Sequence, residues 1–373
     1  MEPMSESSPR VCFVVNAVGE TSVPADIATA VVKYTDAKVD ILAWFDAESF
    51  EGDERVGVTC LDAPNTTVGA DVRTIRRTAS ILSEYDVVQA HHNHSGSFAK
   101  AIARNVGVPS VSREGNMRKG FNRLGRVANG LTNPLADRVV CNSRAVYDSF
   151  TWWEDFILPE ERVRFIPNGV DFDRIDAGRN MDWSARETAG LDDETVLVGT
   201  AGMLTEQKDQ GTLVRALAIA RNSSEVPIEL VIAGDGPEED SLRKVAAQHG
   251  VDDAVHFLGY LDRRYVYKML DEIDIYAMPS LWEGFSAAAV EGLATDNAAI
   301  FSEIPPFTQP YSDVALFHPT GDATRLADHV VTLATDYERR EGLSAAGQEL
   351  VREKYEIRTV ANAYRELYGE LLD

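Results

Sequence analysis

The stretch PSLWEGFSAAAVEGLA (279–294) places Glu283 just before a run of strong helix formers and Glu291 inside it, with Gly284, Phe285 and Ser286 at the junction. Free backbone N–H groups at a helix start attract a phosphate or a developing oxyanion. A carboxylate beside such a pocket has a use if it accepts hydrogen bonds from ligand hydroxyls, and an ionised carboxylate can take two, the geometry of a vicinal diol. Counted along a helix axis at 1.5 Å per residue, Glu291 lies roughly 12 Å beyond Glu283, comparable with the span from sugar to ribose in a nucleotide sugar. The plainer reading makes Glu283 a first-turn charge complementing the helix dipole and Glu291 part of a solvated face.

Lys208, in GTAGMLTEQKDQGTLVRALAIA, stands between an apolar run and a helical stripe, where a point cation could neutralise a diphosphate leaving group. It is one of only 8 lysines, against 28 arginines. Gly202 opens the same turn, and Gly234 and Gly236 in IAGDGPEED would let backbone approach a ligand closely. As a dinucleotide fingerprint IAGDGPEED fails, because the third glycine is absent. His91, His92 and His94 put three imidazoles within four residues, but neighbouring loop histidines seldom converge on one ion, and no metal site is expected.

The elements that must hold these residues follow from the apolar pattern. Short β-branched runs begin at VCFVV, VDILAWF, DVVQAHH, VPSVS, DRVVCNS and VRFIPNG. The pattern restarts with TVLVGTAGML, IELVIAGDG, AVHFLGY, IDIYAMPS, AAIFSEI and VALFHP. Near-continuous apolar strands separated by helices predict parallel sheets covered on both faces, hence two doubly wound, Rossmann-like α/β domains. In such sheets ligands collect at the carboxyl ends of strands, where the candidate residues fall. The polar, strandless segment at 168–190 is read as a linker, and YEIRTVANAYRELYGELLD as a helix with Val360, Ala363, Tyr364, Leu367 and Leu371 along one face.

At 373 residues the chain is long enough for two cores. No run approaches the roughly 18 apolar residues of a membrane span, and the polar N-terminus lacks the apolar run of a signal peptide, so a cytoplasmic location is expected. Cys12, Cys60 and Cys141 lie too far apart for a zinc cluster and read as free thiols. Sixty acidic against 36 basic residues give a net charge of −24, which would repel a polyphosphate and argues against nucleic acid as a partner. The same charge suggests adaptation to a salty cytoplasm, with an ordinary acidic protein as the alternative. Against that background SREGNMRKGFNRLGR (112–126) is a basic island, with Arg113, Arg118, Lys119, Arg123 and Arg126 against Glu114 alone. Arg73, Arg76 and Arg77 share another helical face. Both could receive a phosphate-bearing lipid carrier or anionic headgroups at the inner face of a membrane, with Phe121 and Leu124 inserted; the alternative is ordinary paired surface charge.

PSLWEGFSAAAVEGLA resembles the E-x7-E signature of the retaining GT-B glycosyltransferases of family four. RFIPNGVDFDR resembles their hinge, VGTAGMLTEQKD their donor-diphosphate loop, and LVIAGDGPEEDSLR with VHFLGY their base-side loops. The likeness is strongest over 163–322; in the N-terminal half it rests on VVQAHHNHSG and the short loop Val18–Glu20. It implies a GT-B fold, two domains facing across a cleft: an acceptor-binding domain at 1–170, completed by a helix at 357–373 packing back on it, and a donor-binding domain at 171–356. It also implies transfer of a hexose from a nucleoside diphosphate sugar to a hydroxyl or phosphate-bearing glycan or lipid acceptor, with retention and with neither metal nor cofactor. By the resemblance Glu283 holds donor-sugar hydroxyls, Glu291 the ribose diol, Lys208 the diphosphate, and the amides of Gly284, Phe285 and Ser286 the phosphate or sugar, with Gly202, Gly234 and Gly236 shaping the donor site. His91 falls near the transferred sugar, and Gly19, His92, Arg113, Arg118 and Lys119 fall on the acceptor side. Met203 and Gln309 stand where many relatives carry arginine and glutamate. On these departures rests the alternative, a catalytically silent nucleotide-sugar or glycan-binding protein on the same fold.

Overall fold

In a computed structural model, which describes residues 8–19, 22–47, 50, 52–64, 70–91 and 94–373, the chain forms two parallel sheets in two compact units. The first unit comprises the chain through Gly169 together with Ile357–Asp373, and the second is Val170–Glu356.

The first sheet contains β1 (Arg10–Val18), β2 (Lys38–Ala47), β3 (Gly57–Cys60), β4 (Val87–His91), β5 (Ser110–Glu114), β6 (Arg138–Cys141) and β7 (Val163–Phe165), in the order β3-β2-β1-β4-β5-β6-β7. The second contains β8 (Val196–Ala201), β9 (Ile228–Ala233), β10 (Val255–Gly259), β11 (Ile275–Met278), β12 (Ala298–Ser302) and β13 (Ala315–His318), in the order β10-β9-β8-β11-β12-β13. Strand order reverses between β1 and β4 in one sheet and between β8 and β11 in the other, the two places where a doubly wound sheet opens a crevice. Central strands such as β4, β8 and β12 are buried at every residue, which is why their sequences run apolar without alternation. β3 is the strand that the apolar pattern does not reveal. Its four residues, GVTC, lie at the sheet edge and none is fully buried, so no hydrophobic run was needed to form it.

The segment read as a linker is instead folded. Helices Phe172–Arg179 and Ala185–Ala189 occupy it, with Ile175 and Ala185 fully buried in the second core. Their polarity is spent on tertiary bonds: Arg186 reaches Asp274 at 2.7 Å and the Glu272 and Thr195 carbonyls, while Glu272 accepts from Ser184 and from the Ala185 amide. The helix Ile357–Leu372 packs into the core of the first unit, where Tyr364 and Tyr368 are fully buried alongside Ile27 and Val31.

Candidate functional site

Three loops leave the carboxyl ends of β8, β9 and β11, and hydrogen bonds join them into one assembly. The Leu281 amide donates to the Gln207 carbonyl at 2.8 Å, and the Gln207 side chain donates to the Trp282 carbonyl at 2.9 Å. Across this seam Lys208 Nζ lies 2.5 Å from Glu283 Oε1, and the Ser280 hydroxyl donates to the same oxygen at 3.0 Å. Ser280 is fixed in turn, since its carbonyl accepts from Ser302 Oγ at 2.6 Å. Glu283 is 6% exposed, so its charge must be paired; the Lys208 side chain keeps 20% of its surface open.

The loop after β9 explains the glycines. Gly234 has φ 135° and Gly236 φ 154°, both backbone states that side chains resist. A Cβ on Gly234 would lie 2.0 Å from the Gly202 carbonyl oxygen, and one on Gly236 would lie 2.4 Å from that of Leu204. Gly202 donates to the Ala233 carbonyl and Leu204 to that of Asp235. The close approach these glycines permit is thus of loop upon loop, where the sequence suggested loop upon ligand.

Glu291 sits on the helix Ala287–Leu293. Its carboxylate accepts from Arg263 Nη2 and from the Tyr267 hydroxyl, each at 3.0 Å. The next residue must be glycine, because a Cβ on Gly292 would lie 2.2 Å from the Tyr276 ring. Ser286 is left-handed, φ 59°, and its hydroxyl turns toward Met278 Sδ rather than capping the helix. The axial count of eight helical residues between the two glutamates therefore does not hold, since Glu283 through Ser286 lie outside the helix. Phe285 is a core residue, 7% exposed and packed near the Tyr355 ring, so only its backbone can face a ligand. Ser280, Gln207, Arg263 and Tyr267 were missed from sequence. Arg263 alone had a signal, as a cation just after β10 at a strand-to-helix junction.

In the first unit His91 ends β4 and is 1% exposed. The Tyr368 hydroxyl donates to Gln89 Oε1 at 2.7 Å, which turns the Gln89 amide nitrogen toward His91 Nε2 at 3.0 Å. Gly96 lets the following helix start against His91, whose carbonyl oxygen a Cβ there would approach to 2.8 Å. Val14 pairs with Ala90, and Gly19 lies just beyond the end of β1. His92 lies outside the described residues.

The basic island divides. Lys119 and Arg123 are exposed, whereas Arg118 is 2% exposed. Its guanidinium contacts Glu114 and Glu154 at 2.8 Å each and lies over the Phe150 ring. Arg118 was expected on an anion-binding surface; it is an internal ion pair, because two buried carboxylates require a buried cation. Arg113 bonds to Asn168 and adjoins Tyr364. Beside Arg118 the fully buried Lys100 donates to Ser112, Asn129 and Asn133 at 3.1, 2.7 and 2.6 Å. Burial lowers Lys100 to about 8, against the opposing pull of Glu114. Burial would raise Glu114, but the charges of Arg118 and Lys100, with hydrogen bonds from Arg118 and Asn129, hold it down at about 2. Among the described residues, no group of three or more His, Cys, Asp or Glu side chains is placed to hold a metal.

Residues 181–350 match the family described as Glycosyl transferases group 1, and residues 26–174 match Glycosyltransferase Family 4. The chain belongs to glycosyltransferase family four. It is 25% identical over 235 residues to the O-antigen biosynthesis glycosyltransferase WclY of Escherichia coli, covering 63% of this chain and 62% of WclY. It is 28% identical over 289 residues to a phosphatidyl-myo-inositol mannosyltransferase of Mycobacterium leprae, covering 76% of this chain and 73% of that protein. The family-four chain spans about 60% of the length of several of the curated relatives it matches. Among solved structures, Anabaena HepE in complex with UDP superimposes with a TM-score of 0.80 at 17% identity, over 97% of this chain and 100% of HepE. That likeness places the family-four chain on the GT-B fold.

Proposed function

We propose that this chain is a retaining, metal-independent glycosyltransferase that moves a hexose from a nucleoside diphosphate sugar to a hydroxyl, or to a phosphate-bearing glycan or lipid. The observation that carries the reading is the Lys208–Glu283 pair, held across two loops at the crevice of the second sheet. A diphosphate arriving there competes for Lys208 and releases Glu283 to accept sugar hydroxyls. Glu291 turns its second oxygen to the ribose diol while Arg263 and Tyr267 hold the first. As the bond from sugar to diphosphate breaks, the acceptor oxygen bonds to the anomeric carbon and its proton passes to the departing phosphate oxygen, on which charge grows. A cation already in place stabilises it without reorganisation and without a dedicated base. By the family resemblance His91 also serves the transferred sugar. HepE, crystallised with UDP and with UDP-glucose, supports a nucleotide-sugar donor; the mycobacterial mannosyltransferase supports a lipid-linked acceptor.

The second reading, a binding protein without turnover, draws on Met203. It is 64% exposed in the donor loop, where it supplies no second cation. Hydrolysis and binding of UDP-, GDP-, ADP- and dTDP-sugars in high KCl with EDTA separate the two. Slow turnover of one donor, lost in Glu283→Ala and Lys208→Ala, supports the enzyme. Tight binding with no turnover in wild type supports the silent protein.

A further inference from the structure

Of the twelve large hydrophobic side chains exposed among the described residues, five lie on two touching helices of the first unit. Helix Arg123–Thr132 shows Leu124, Val127 and Leu131, 68, 48 and 59% exposed, at the spacing of one helical face. Helix Trp152–Ile157 shows Trp152 and Phe156, 82 and 86% exposed, one turn apart. The helices meet where Gly130 leaves room for Trp153. An ordinary surface would scatter such side chains singly.

The charge around the first helix is equally unlike the rest. Residues 115–136 contain no acid, in a chain with 60. Lys119 and Arg123 are exposed and Arg126 is half-buried, while Arg118 is turned inward and fixes the connecting loop to the interior. Acids remain near the second helix, where Asp155 is exposed. No helix among the described residues is long and apolar enough to cross a membrane.

We propose that this face is a docking surface for an anionic lipid bilayer, with Lys119, Arg123 and Arg126 at the headgroups and the Leu124 stripe and the Trp152–Phe156 pair seated in the interface. Cations beside exposed aromatic and aliphatic side chains are what an interfacial element requires. The remaining charge of the chain is net negative and is repelled by the same surface, which favours orientations that turn this face, or the exposed Arg73, Arg76 and Arg77, toward the lipid. A second copy is the poorer occupant, since a twofold contact through this face would set its cations against their own equivalents. The surface needs no donor, so its test is independent of the glycosyltransferase reading.

The test is flotation with vesicles of phosphatidylglycerol and phosphatidylcholine, or phosphatidylcholine alone, across a KCl series. The variants are Lys119→Gln/Arg123→Gln/Arg126→Gln and Trp152→Ser/Phe156→Ser, with circular dichroism reporting their folding. Wild type is expected to float with anionic vesicles only, more weakly as salt rises. The triple change should lower partitioning by about a hundredfold, at about fivefold per cation, and the aromatic change by about tenfold or more. Absence of wild-type binding at low salt, or binding undiminished in both folded variants, overturns the proposal. So does concentration-dependent dimerisation that the aromatic change abolishes while vesicle binding persists.

Discussion

Each unit places a basic side chain against carboxylates near the carboxyl end of its sheet, and the two arrangements differ in what they leave open. In the first, the side chains of Arg118, Glu114 and Glu154 are 3, 4 and 2% exposed. Asn129 donates to both oxygens of Glu114, and Lys100 fills the adjoining space. In the second, Lys208 and Arg263 are 20 and 30% exposed while Glu283 and Glu291 are 7 and 13%. There the carboxylates are deep and the cations reach outward. A closed network is committed to the fold, since any exchange of partner strands a buried charge. An open pair can exchange one partner for a ligand, because water or the ligand receives the cation it releases.

The comparison breaks first if Arg118 proves dispensable. Arg118→Ala strands Glu114 and Glu154 and should cost about 3–5 kcal/mol of stability, read as a lowered denaturant midpoint. Lys208→Ala should cost about 10²–10³ in donor turnover, the size of loss seen when one preorganised electrostatic group is removed, and should lower the denaturant midpoint less than Arg118→Ala, because it strands one deep carboxylate, still bonded to Ser280, rather than two. A large stability loss in Lys208→Ala would erase the distinction. Acid sharpens it: Glu114 is depressed to about 2 from 4.5, so the stability it contributes is complete above pH 4.5 and is lost as pH falls toward 2. Glu114→Gln should start less stable and lose less over that window in a melting series. Lys100 is lowered from 10.5 to about 8, so its contribution has the opposite sense of a paired lysine, and stability should rise between those values. Lys100→Met should flatten that rise. The smallest effect is Arg263→Ala, which should weaken nucleotide binding by about tenfold, about 1.4 kcal/mol, through a less fixed Glu291.

The sequence made the twelve strands with apolar runs legible because parallel strands buried on both faces need little else. β3 escaped because an edge strand can form without burying its side chains. Lys208, Glu283 and Glu291 were visible as a spacing, and that spacing survives although its helical geometry does not, since Ser286 adopts a left-handed turn that no local composition announced. Arg118 could not be separated from Lys119 by reading. Which of two adjacent cations points inward depends on Glu154, thirty-six residues on. The polar segment at 168–190 misled for a related reason: its arginines pair within the segment and with Asp271, Asp274 and Asp296 across the fold, so low hydrophobicity did not mean a loose chain.

The helix at Ile357–Leu372 bears on how the molecule is made. The first unit ends at Gly169 and resumes at Ile357, so 187 residues are synthesised between its two parts. At about 5–20 residues per second that interval is roughly 10–40 s. Until it passes, the apolar surface shared by Ile27 and Val31 waits for Tyr364 and Tyr368 to cover it, a target for chaperones on the ribosome. The second unit, continuous in the chain, can finish first. His91 belongs to the early part, whereas Tyr368, whose hydroxyl bonds to the neighbouring Gln89, is made only after the whole of the second unit.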